Sequence, residues 1–192
     1  MAKKYDFKPD RGPKLLLNRL YLTKKQRLSV LKWSLYGLVL LFLSLLQDVL
    51  LVRFRLFGAT TELVPVGIFL ICVLEGIEHG SVFALAASCI YLFSGTAAGT
   101  YCIVFITALS VFVAYLRQSY LQKGFVPALL CTALAMILYE ACVFGIGLFL
   151  NLTISSRLIG FGITAMLSLV AVPVLYPIAI AIGKIGGEAW KD

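Results

Sequence analysis

Glu140 is the residue whose type and place could do chemistry. It falls near the middle of the apolar run 126–150, where an ionised carboxylate costs several kcal/mol unless paired, hydrated or protonated. Two roles stay open for it: a proton- or ion-linked functional group, or a protonated carboxyl donating a hydrogen bond to a neighbouring helix or a partner protein. No Lys, Arg or His stands at comparable depth in another run, so no transport-style ion pair is expected within the chain. Glu75-Gly76-Ile77-Glu78-His79-Gly80 gathers two carboxylates, the single His and two glycines, which is turn chemistry. Cys72, Cys89, Cys102, Cys131 and Cys142 lie in apolar runs without CxxC spacing and read as small packing residues. HExxH, phosphate-binding and dinucleotide-binding glycine patterns, and carboxylates paired within a run are missing. Hydrolysis, phosphoryl transfer and hydride transfer therefore lack their usual groups. The expectation is a non-enzymatic protein with no cofactor, metal or nucleic-acid partner.

The elements that must position these residues follow from composition. Of 192 residues, 61% are hydrophobic and 14% charged, with mean hydropathy +0.98, too little polar surface to cover a water-soluble globule. The expected class is an all-α polytopic integral membrane protein. A hydrocarbon core of about 30 Å takes roughly 20 helical residues, and runs 33–52, 100–116, 126–150 and 158–182 fit. Residues 63–94 are too long for one span and are broken by the polar cluster, so they read as two short helices and a tight turn, spanning or re-entrant and shielded by neighbours. The expected count is about six transmembrane helices, including this hairpin. Residues 1–32 form a basic N-terminal extension, 33–185 the membrane domain and 186–192 a short tail; no cleavable signal peptide is expected.

Residues 1–32 carry ten of the seventeen Lys and Arg. With both termini cytoplasmic, Arg117, Lys123, Lys184 and Lys191 join them inside, leaving Arg53, Arg55 and Arg157 outside together with Glu62, as the positive-inside rule requires. The mixed apolar and cationic segment 14–25 is either an interfacial helix on anionic lipid or a solvated tail. Gly76 and Gly80, like Gly95 and Gly99, are spaced for close helix approach but sit at segment ends, where turn formation competes. Pro173 and Pro177 should kink or break the last span.

The order of features resembles the rod-shape-determining protein MreD family. The likeness rests on Phe57-Gly58-Ala59, Pro65 opening a helix, Glu75-Gly76 followed by Gly80, Ser94-Gly95 with Gly99, Val172-Pro173-Val174-Leu175-Tyr176-Pro177 and Gln47. It spans residues 33–184. Tyr91 stands where the family commonly carries Asp, and the basic tail is longer than expected of it. The resemblance implies a subunit of the bacterial cell-elongation complex in the cytoplasmic membrane, acting in peptidoglycan synthesis and cell shape. Its implied partners are a bitopic protein of the MreC type and, through it, the MreB filament, a RodA-type glycosyltransferase and a penicillin-binding transpeptidase. Contact is expected on the hairpin between Pro65 and Gly99, where Ala84, Ala87 and Ser88 allow close approach. The alternative, a substrate-binding S component of an energy-coupling-factor vitamin transporter, fits less well. Residues 33–52 lack an Ala-xxx-Ala face, and the loops 53–62 and 95–99 are sparse for a ligand lid.

Overall fold

The structure is a computed structural model that describes residues 24–51, 60–95, 97–121 and 124–186. The features expected within 14–23, at Arg53, Arg55 and 57–59, at Lys123 and beyond Gly186 lie outside those residues.

Every regular element among the described residues is helical. Helix α1, Lys24–Leu46, runs into a π-helical turn, Gln47–Leu51; α2 is Leu63–Glu75, α3 Ile77–Phe93, α4 Tyr101–Tyr120 and α5 Phe125–Phe149. Then come α6, Leu158–Leu169, and α7, Val172–Gly183, with 3₁₀ turns at Ser155–Arg157 and Lys184–Gly186. Among the described residues, three helices, Gln26–Val49, α4 and α5, are long and apolar enough to cross a membrane, and the pair α6 and α7, bent by 45°, makes a fourth if taken as one span. Helices of this kind suggest a membrane protein. α1 crosses the expected boundary at residue 32, because the Lys, Arg, Gln and Leu of 24–32 propagate a helix and neither Gly nor Pro interrupts them.

α2 is the centre of the bundle. Its residues from Leu63 to Leu74 are all buried, enclosed by α1, α3, α4, α5 and α7. An apolar circumference would suit lipid as well as protein, so what calls for protein neighbours is the unpaired backbone at the two ends of a short helix. At 13 residues it is about 20 Å long, shorter than a hydrocarbon core of about 30 Å. α3 buries only the stripe Gly80, Ala84, Ala87, Ser88 and Tyr91, leaving Val82, Leu85, Ile90 and Phe93 exposed.

The expected tight turn between the two short helices is a single residue, Gly76, at φ 85° and ψ −177°, a conformation that strains any side chain with a Cβ. Gly80 has a different job: a Cβ there would lie 2.7 Å from Cys72 Sγ and 3.0 Å from Cys72 Cα, so its bare backbone lets α3 fold back against α2. The expected break in the last span falls at Val170 and Ala171, just ahead of Pro173. Pro173 lacks an N–H, so the bond that would continue the helix from position 173 back to the Leu169 carbonyl cannot form. Asn151 closes α5 with φ 55°, and the Leu152 and Thr153 N–H groups turn back onto the Gly147 carbonyl at 2.8 and 3.2 Å, as helix C-caps do.

Candidate functional site

A helix leaves its first four N–H groups and its last carbonyls without partners in its own backbone, and burial of α2 means that other elements must supply them. At its N-terminus, the Gln47 side-chain oxygen accepts the Leu63 and Val64 N–H groups at 2.8 and 3.1 Å. Pro65 has no N–H to satisfy. The Glu62 N–H donates to Ser168 Oγ at 2.8 Å, and that hydroxyl donates to the Thr164 carbonyl at 2.7 Å. The first four positions are thus accounted for: three N–H groups bond to the π turn after α1 and to α6, and the fourth position is a proline with no N–H to place.

At the other end, Arg117 of α4 donates to the Val73 and Leu74 carbonyls at 2.6 and 3.3 Å, placing a cation where the helix dipole favours one. Glu75 sits unfavourably in that dipole but forms an ion pair with Lys32 of α1. The Tyr36 hydroxyl donates to Glu75 Oε1 at 2.7 Å, with the Ala179 carbonyl oxygen of α7 3.1 Å away. Trp33, Tyr36, Phe83 and His79 pack as a ring cluster beside it.

Glu140 contrasts with Glu75. Only 4% exposed, it has Oε1 buried without a hydrogen-bond partner, and Glu62 Oε2 is in the same condition. Glu62, expected on the outer side of the membrane, lies within electrostatic reach of Glu140 and beside Tyr139, where the chain enters the bundle to start α2. Two carboxylates therefore meet where no cation is available among the described residues. Glu140 also lines a cleft of about 350 Å³ between α5 and α6.

The other expected site residues are dispersed. Ala84, Ala87 and Ser88, expected to bind a partner or to pack helices of this chain, face inward, and α3 packs against α2 and α4. Ser88 Oγ donates to the Leu85 carbonyl at 2.9 Å. Gly95 turns the chain at φ 80°, and Gly99 lies against the Tyr101 ring. The Tyr176 and Phe125 rings are T-shaped with centroids 4.9 Å apart, while Pro173 and Pro177 are exposed. Sequence reasoning passed over Lys32, Tyr36, Arg117 and Ser168; the one signal was that a buried Glu75 would need a cation. Among the described residues, no group of three His, Cys, Asp or Glu could hold a metal ion.

Comparison of the chain with models of protein families, with curated proteins and with solved structures returns no match.

Proposed function

We propose that the protein is a non-enzymatic scaffold subunit of the bacterial cell-elongation complex, a six-helix protein of the cytoplasmic membrane with both termini inside. It acts in this reading by holding an MreC-type bitopic protein near the peptidoglycan-synthesising glycosyltransferase and transpeptidase, with the MreB filament engaged through that partner. The α2–α3 hairpin, α1, α4, α5 and the bent α6–α7 pair make the six helices. The family resemblance supplies the biology.

The observation that carries the reading is the packed centre. α2 fills the axis of the bundle, its polar ends are taken up by side chains of this same chain, and among the described residues the void between α1, α2 and α7 measures about 10 Å³. A void of that size holds at most about one water. The distribution of cations agrees with the orientation, since Lys32, Arg117 and the Lys184–Gly186 turn gather at the hairpin end of the bundle.

Depletion in a rod-shaped host, followed by microscopy and by co-purification from nanodiscs, tests the proposal. Rounding cells and recovery of an MreC-type protein are expected. Normal rods together with nanomolar binding of a vitamin would replace this reading with the transporter one.

A further inference from the structure

The cleft between α5 and α6 has the shape of a seat for a helix. Ile137, Glu140, Ala141 and Phe144 form one wall, and Leu158, Phe161, Gly162, Ala165 and Met166 the other. Both sets follow helical spacing, so the walls run along their helices for about 10 Å. Small residues set the floor and rim: Gly162 and Ala141 are exposed, and a Cβ added to Gly162 meets nothing within 4 Å. Glu140 is the one charged residue in this otherwise apolar lining; its Oε1 is buried without a hydrogen-bond partner, and the charge within its electrostatic reach is Glu62 rather than a cation.

We infer that this cleft docks a transmembrane helix of another protein, one that brings a hydrogen-bond-donating side chain to Glu140 at mid-membrane depth. Acyl chains fill apolar grooves but carry no donor. An amide, hydroxyl or basic side chain on a helix does, and small residues on the seat let that helix approach closely. The inference does not rest on the elongation reading, because any helix with this chemistry qualifies.

The test uses the full chain in proteoliposomes with an N-terminal fluorophore, and two labelled single-span peptides of Leu and Ala, one with Asn at its centre and one with Leu. Energy transfer reports association. The Asn peptide should associate about tenfold more tightly than the Leu peptide, a margin in the range of interhelical hydrogen bonds in membranes. Glu140→Leu and Gly162→Leu should each abolish the margin, the first by removing the acceptor and the second by filling the seat. Glu140→Gln, whose amide still accepts, should keep it. Unchanged circular dichroism and thermal midpoints confirm that the variants are folded. Equal association of the two peptides with the unmodified chain overturns the inference, as does a margin that survives both Leu substitutions. Efficient disulfide cross-linking between two Gly162→Cys chains, or a phospholipid retained by the native chain and lost in Gly162→Leu, also overturns it by giving the cleft another occupant. Neither result bears on cell rounding, so this inference and the proposed function fail separately.

Discussion

Two glutamates buried in one bundle have opposite settings, and the difference is which side chains reach them. Glu75 has Lys32 and Tyr36, so removing one partner leaves an uncompensated buried charge. Lys32→Met or Glu75→Gln should each destabilise by about 3 kcal/mol, lowering the midpoint of a detergent thermal melt by roughly 6 °C or more. The double variant should recover much of that loss, since no lone charge remains. Glu140 has no cation to lose. Glu140→Gln should therefore insert and fold like the native chain, whereas Glu140→Lys puts an ammonium between apolar walls and should reduce folded yield in an insertion assay. If Gln fails as badly as Lys, the carboxylate itself is required, and an ion-linked role gains weight. Gln47 is a third case, because one oxygen serves two N–H groups. Gln47→Leu should destabilise by about 2 kcal/mol and Ser168→Ala, which orphans one N–H, by about half that; chemical denaturation of the two variants side by side measures the ratio.

At the scale of elements, α2 and α3 depend on a contact that tolerates no side chain. Gly80→Val drives its branch into Cys72 backbone atoms, which cannot swing away as a rotamer would, and should lower the thermal midpoint by several degrees. Gly37 is the matched control: it also lies within a helix, but a Cβ there meets nothing within 4 Å. Gly37→Ala should hold or raise the midpoint, since Ala is favoured over Gly in a helix by about 1 kcal/mol. An equal loss from both would show that helix propensity rather than hairpin closure governs. The break between α6 and α7 is the other decisive element. It follows from the placement of Pro173 and lets Ser168, just ahead of it, meet the start of α2.

For the whole molecule, the question is which way the bundle faces. The ends of α2 lie at different places along their neighbours: Glu75 beside Lys32 and Ala179, Glu62 beside the middle of α5. An exposed Ser156 is far along the chain from Lys184 on the other side of the α6–α7 break, and the two should lie on opposite sides of the membrane. In a background without the native cysteines, Ser156→Cys should react with an impermeant maleimide in intact cells and Lys184→Cys only after lysis. Labelling of Lys184→Cys in intact cells would invert the topology and remove the cytoplasmic placement of the termini.

Much of this was legible in the residues themselves. The apolar runs, the Gly76 turn, the proline break and the anomaly of Glu140 are local facts, each fixed by what one residue type costs in one kind of backbone or solvent. The central place of α2 was half legible, because the unpaired backbone at the ends of so short a helix called for shielding without naming the neighbours. The pairings were not legible: Lys32 with Glu75, Gln47 with Leu63, Ser168 with Glu62 and Arg117 with Val73 each join residues on different elements. Nor was it legible that Ala84, Ala87 and Ser88 would be spent inside the chain while Ala141 and Gly162 stay open. Composition sets how much apolar surface must be covered; only the packing of helices decides which neighbour covers it, and therefore which polar group is left waiting for a partner.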